Sequence, residues 1–328
     1  MPFHRRLACK LNYFQSIILM FAAVILIGAA LLMLPISAQE RTVTPFHEAL
    51  FTATSAVCVT GLVVRDTASH WSAFGQAVLM VLIQIGGLGV ITVGASFSLL
   101  SGRRISLSQR GRMQEAMSAP KVGGIVRLTG FVIRASLMIE GIGALCMLPV
   151  FCRDFGVSGI WKAVFHSVSA FCNAGFDLMG TPDTPFVSLT AYRADPVINL
   201  TISALIVVGG IGFLTWDDVR TNRLCFHRYR LQSKVILAAT ALLILLPMLY
   251  FFCFEFKGGA LRERLLLSLF QSVTPRTAGF NTADYTSLSS SGRGLTILLM
   301  FIGGSSGSTA GGIKTTTAAV LVANAFAV

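Results

Sequence analysis

Three glycines, Gly61, Gly175 and Gly279, each close a short run of small or uncharged residues. The runs read Cys58-Val59-Thr60-Gly61, Cys172-Asn173-Ala174-Gly175 and Arg276-Thr277-Ala278-Gly279. They recur at intervals of about 110 residues, and a unit of that size repeated along a chain marks one architecture used several times. Glycine reaches dihedrals closed to other residues and leaves a narrow axis free of side chains. Successive backbone carbonyls can then face one line and replace the water shell of an ion. Apart from Arg276 these positions carry no charged side chain, so all twelve residues are candidate ligands through backbone oxygen. Such oxygens suit a weakly hydrated monovalent cation better than a divalent one, which takes carboxylates.

Each corner follows a short helix-permissive stretch, such as FHEALFTATSAV at 46–57. A helix this short cannot cross a bilayer, and its last carbonyls stay unpaired. Its negative dipole end points at the same place, which favours a cation. Non-helical backbone at membrane depth survives only where it lines protein or water. The expected element is a pore loop between two membrane helices. Arg276 is the exception. It is expected to point away and pair behind the corner, with Asp284 as the candidate partner, as Asp66 is for Arg65; the alternative role is to tune ion access.

The surrounding chain agrees. Apolar residues make up 54% and charged residues 12% of the 328, against about 25% charged in soluble domains. Mean hydropathy is +0.74. Apolar spans are read at 14–35, 74–100, 129–151, 197–214, 234–254 and 293–327, each long enough for hydrocarbon. The net charge of +12 falls on the N-terminal arm (Arg5, Arg6, Lys10) and on the loops Arg103–Arg134 and Arg220–Lys234. That side is cytoplasmic by the positive-inside rule, which sets the three corners outside. The fold class is an all-α polytopic membrane protein with helix–pore loop–helix units around a central pore. The units are 1–100, 101–233 and 234–328. The seven cysteines show no metal spacing and are read as small packing residues. No catalytic motif of a hydrolase or metalloprotease occurs, so an enzyme is not expected. Nucleic-acid binding is not expected either.

The last span is interrupted. Gly303, Gly304, Ser305, Ser306, Gly307, Ser308, Thr309, Ala310, Gly311 and Gly312 precede Lys314. Each glycine costs about 1 kcal/mol of helix preference relative to alanine. A flexible loop lying in the pore beneath the corners, acting as a gate, accounts for both the glycines and the hydroxyls. Lys314 would either repel ions or anchor the loop. The run GSTAGGIK misses the phosphate-loop spacing by one residue. The glycine pairs at 86–87 and 209–210 are read as close helix packing. Glu140, inside a span, is either functional or a helix–helix hydrogen bond.

The segments SAVCVTGLVVRDTASHWSAFGQ, IQIGGLGVIT, SAFCNAGFDL, SVTPRTAGFNTADY and GGSSGSTAGGIKTTT resemble the Trk/Ktr/HKT potassium transporters, and within them the KtrB-like membrane subunits. The resemblance covers nearly the whole chain, and it implies four such units, the fourth falling beyond Val328, so that the chain is expected to be a fragment of a longer protein. It implies potassium uptake across a bacterial plasma membrane, filter glycines at Gly61, Gly175 and Gly279, and a gating loop at 303–314. It implies a homodimer with one pore per protomer, sodium as a stimulating ion, and no covalent cofactor. A cytoplasmic KtrA-like ring would bind ATP or ADP. The competing readings are a non-conducting or regulatory derivative of such a channel, and a secondary solute transporter with broken helices.

Overall fold

The computed structural model describes residues 13–90, 92–93, 107–116, 123–223 and 225–327. The arginines of the N-terminal arm, and Arg103 and Arg104 of the first basic loop, lie outside them. The long helices are α1 (Tyr13–Met33), α5 (Ile125–Phe155) and α9 (Leu231–Tyr250), the last extended by a π turn over Phe251–Glu255. These three are long and apolar enough to cross a membrane. They carry exposed belts of Ile18, Leu19, Leu26 and Ile27, of Leu137, Met138, Ile142 and Leu145, and of Leu242, Leu245, Leu246 and Leu249. Such belts suit hydrocarbon, where apolar surface costs nothing to expose. The protein is a helical membrane protein.

Each long helix turns back into a short one. These are α2 (Phe46–Cys58), α6 (Ser158–Phe171) and α10 (Leu261–Val273). At 1.5 Å per residue they reach about 20 Å, short of a hydrocarbon core of about 30 Å. They pack against α1, α5 and α9 respectively. Their inward faces carry Ser55, Ser167, Ser169, Ser268 and Ser272, all buried. The other elements are α3 (Ala73–Leu88), α4 (Leu107–Ala116), α7 (Pro196–Gly210), α8 (Phe213–Asn222), α11 (Ser290–Phe301) and α12 (Thr315–Ala327). Helix α3 also packs on α6, and α7 on α10. Each short helix after the first therefore rests on the unit before it.

The helix bounds correct three expectations. Helix α5 begins at Ile125, earlier than 129. Helix α3 ends at Leu88, because Gly89 turns out of helical geometry at φ 85°; of the stretch read to residue 100, positions 94–100 lie outside the described residues. The span read as continuous at 197–214 is broken: α7 and α8 meet at 96°. Gly212, at φ 90°, makes the corner, and Asp218 then ties α8 to α9 by accepting from Ser233 Oγ at 2.5 Å and the Arg230 amide at 3.1 Å. The glycine pair at 86–87 does pack closely, whereas at 209–210 only Gly209 does, a methyl at Gly210 meeting nothing within 4 Å. A methyl at Gly86 would lie 2.1 Å from the Val57 carbonyl oxygen, and one at Gly87 would lie 2.6 Å from Cys172 Sγ. Among the described cysteines only Cys172 is buried; Cys58, Cys146, Cys225 and Cys253 are exposed, so packing explains one of them.

Gly86→Ala should destabilise the protein by about 1–3 kcal/mol, the ordinary cost of overpacking. Gly141→Ala is the control, since a methyl there meets nothing within 4 Å. Thermal unfolding in detergent should show a lower Tm for the first and an unchanged or higher Tm for the second.

Candidate functional site: three glycine corners and a clasped loop

The C-terminal ends of α2, α6 and α10 lead into the three corners, and the corners meet. A methyl at Gly61 would lie 2.7 Å from the Ala174 carbonyl oxygen. One at Gly175 would lie 2.3 Å from the Ala278 carbonyl oxygen and 3.2 Å from the Gly279 Cα. Corner one thus abuts corner two, and corner two abuts corner three. Residues far apart in sequence come together, with the Ala174 and Ala278 carbonyls turned toward the adjoining glycine.

The backbone explains how. In each corner the glycine has positive φ (74°, 70° and 88°), and so does the residue two before it: Val59 at 56°, Asn173 at 58° and Thr277 at 84°. The residue between has negative φ. Alternating φ sign turns successive carbonyls toward one side, where an extended strand would alternate them. A β-branched residue such as Val59 pays for this conformation, so it is held by its surroundings. The Thr60 amide donates to Ser55 O at 2.9 Å, the Ala174 amide to Ser169 O at 2.8 Å, and the Ala278 amide to Thr274 O at 3.1 Å. Two hydroxyls fasten the far side: Ser169 Oγ donates to Phe176 O at 2.7 Å, and Thr274 Oγ1 to Phe280 O at 2.6 Å. The sequence reading missed these clamps. Their only signal is a hydroxyl five or six residues before the glycine.

The Cys172, Asn173 and Arg276 side chains of the corners are buried among neighbouring elements. Cys172 Sγ lies against Gly87 and 3.7 Å from Gln84 Oε1. Gln84 Nε2 donates to Glu140 Oε1 at 2.9 Å, which makes Glu140 a link between α5 and α3. Arg276 is buried, but its partner is not Asp284. Its Nη2 donates to Gly303 O at 3.4 Å, and Nε has no partner. Asp284 instead receives Thr286 Oγ1 at 2.7 Å and the Thr286 amide at 2.8 Å, which together hold its carboxyl below the usual range. Arg65 likewise pairs with Glu48, at 2.8 and 3.0 Å. Asp66 caps a helical turn at Ser69.

The loop 303–314 is clasped, where a flexible one was expected. The Gly303 amide donates to Ile313 O at 3.0 Å and the Gly304 amide to Gly311 O at 3.2 Å, closing the loop at its base. The Ser305 amide donates to Gly210 O at 2.9 Å, and the Phe213 amide to Gly307 O at 2.7 Å. The break between α7 and α8 is therefore the seat of the loop: the unpaired backbone of one satisfies the other. Lys314 Nζ donates to Ala310 O at 2.9 Å, so it anchors the loop. Thr309 Oγ1 donates to Phe171 O at 2.9 Å and accepts from Asn173 Nδ2 at 2.9 Å.

The sequence pattern of the TrkH family, described as cation transport proteins, matches residues 8–257 and 231–327. The chain belongs to this family. It is similar to the potassium/sodium uptake protein NtpJ of Enterococcus hirae, 42% identical over 327 residues, which cover 97% of this chain and 70% of that protein. It is equally similar, at 42% identity over 320 residues, to the Ktr system potassium uptake protein B of Bacillus subtilis, covering 95% of this chain and 70% of the relative. The crystal structure of the potassium transporter TrkH from Vibrio parahaemolyticus has the same fold, with a TM-score of 0.71 at 19% identity. It matches 95% of this chain, which spans 61% of that one. As a family member the chain shares the fold in which its corners converge.

Thr274→Val removes the clamp on Phe280 O while keeping the side-chain shape. A buried carbonyl left without its donor costs about 1–3 kcal/mol. Thermal unfolding should show that loss for Thr274→Val and near-native stability for Thr274→Ser; equal stability of the two would refute the clamp.

Proposed function

We propose that this chain forms the ion-conducting part of a potassium-uptake system in a bacterial cell membrane, read as the three units 1–100, 101–233 and 234–328. The observation that carries the reading is the convergence of three corners with alternating φ sign, which offers rings of carbonyl oxygen to a dehydrated monovalent cation. Residues 58–61, 172–175 and 276–279 line the filter. The helix ends of α2, α6 and α10 favour a cation there. The loop 303–314 is the gate. It clasps the break in α7–α8 on the cytoplasmic side of the filter, since the short helices run inward from an outer surface. The relatives are named for potassium or potassium/sodium uptake, which supports potassium as the main ion, with sodium as a stimulating or second ion.

The partners belong to the same reading. The protein works as a homodimer in the bilayer, N-terminus cytoplasmic, beneath it a ring of KtrA-like subunits that bind ATP or ADP. The membrane chain binds no nucleotide itself. One relative is named as part of a Ktr system, which supports a separate regulatory subunit.

Rubidium uptake by vesicles carrying the complete transporter tests the reading. Unlabelled potassium should compete strongly and sodium weakly. Gly175→Ser should weaken potassium competition by about tenfold or more, equivalent to roughly 1.4 kcal/mol of lost ion binding, because a side chain there would meet the Ala278 carbonyl. Competition by organic solutes instead of potassium would favour the broken-helix solute transporter.

A further inference from the structure

We infer that the loop 303–314 and the second filter corner are one coupled device, in which Asn173 and Thr309 are positioning residues that make ion preference depend on the loop. This rests on the filter and gate reading above. Asn173 stands in the filter sequence itself, at φ 58°, and is completely buried. Its amide points behind the filter to Thr309, 136 residues later, at 2.9 Å. The alternatives open to that amide are poor: Phe171 O at 3.4 Å and Ile206 O at 3.5 Å, while Oδ1 has no partner. The loop therefore supplies the one short hydrogen bond this side chain makes.

Thr309 holds three places at once. Its hydroxyl accepts from Asn173 and donates to Phe171 O at 2.9 Å, on the residue that ends α6. Its amide donates to Gly209 O at 3.2 Å. Gly209 permits this meeting: a methyl there would lie 2.0 Å from Phe171 O, 2.8 Å from Thr309 Oγ1 and 3.0 Å from Asn173 Nδ2. A hydrogen bond at these distances does not survive a displacement of about 1 Å. If the loop moves to let ions pass, Phe171 and Asn173 lose their fastening together, on either side of Cys172. The third corner reaches the loop too, through Arg276 and Gly303 O. The first corner has the apolar Val59 in place of Asn173. Linkage then runs both ways: ions that favour the native filter geometry favour the clasped loop by the same factor.

The test compares Thr309→Val, which removes the hydroxyl at constant shape, with Thr309→Ser, which keeps it, in the complete transporter. Rubidium uptake competed by potassium or sodium gives the ion preference. Thr309→Val should reduce potassium-over-sodium preference by about fivefold or more, the low end of ordinary coupling between sites, and Thr309→Ser should restore it. The second readout is Tm in potassium against Tm in sodium. An ion that binds the native state raises Tm, so the potassium-specific rise should shrink in Thr309→Val and persist in Thr309→Ser. Asn173→Ala provides the same comparison if Thr309→Val does not accumulate. A Thr309→Val protein with altered flux but unchanged ion preference and unchanged potassium-specific Tm would overturn the coupling and leave the filter and gate intact. A wild-type transporter with no potassium-competed uptake would instead overturn the functional reading beneath it.

Discussion

A backbone that leaves helical geometry in an apolar medium must find partners for its amides and carbonyls, and this structure is organised by that requirement. The chain leaves its helices in three glycine corners, in the break between α7 and α8, and in the loop 303–314. The corner amides bond back to the helix ends they come from, at Ser55, Ser169 and Thr274. The break and the loop solve the problem jointly, because Gly209 and Gly210 offer carbonyls that Thr309 and Ser305 need, and Gly307 offers one that Phe213 needs. The Ala174 and Ala278 carbonyls instead face the glycine of the adjoining corner.

The same requirement explains why glycine is dense where helices cross. Close approach of two backbones leaves no room for a methyl. Gly86 faces Val57 O at 2.1 Å, Gly209 faces Phe171 O at 2.0 Å, and Gly303 faces Gly311 O at 2.0 Å, measured to the methyl each lacks. The three positions open three glycine pairs at comparable places in the chain. A small-residue pair therefore serves packing in α3, a bend in α7–α8 and a loop base after α11. Local sequence separates these outcomes weakly. The serines and threonines that follow Gly304 add the hydroxyls that let the third become a loop.

The charged groups are arranged by burial and geometry more than by nearness in sequence. Arg65 passes over its neighbour Asp66 to donate a two-point bond to Glu48, which a planar guanidinium satisfies better. Asp66 and Asp284 are drawn off by helix capping, since each sits where a turn has free amides. That leaves Arg276 with a loop carbonyl as its partner. Sequence proximity suggested both pairings because opposite charges close in the chain are the simplest guess, and capping competes with that guess invisibly.

The sequence by itself determined the membrane class, the three repeated corners and the interrupted last span. Those properties are local: hydropathy over a span, a glycine after a short amphipathic run, and glycine density are all read within a few tens of residues. It also singled out the residues at 58–61, 172–175 and 276–279 that the structure brings together. Tertiary structure alone decided that the corners meet and that α7–α8 is broken. It alone decided that Thr309 reaches Asn173. These depend on contacts between residues more than ninety positions apart, where backbone partners are chosen by three-dimensional neighbours and no short window of sequence contains both members of the pair.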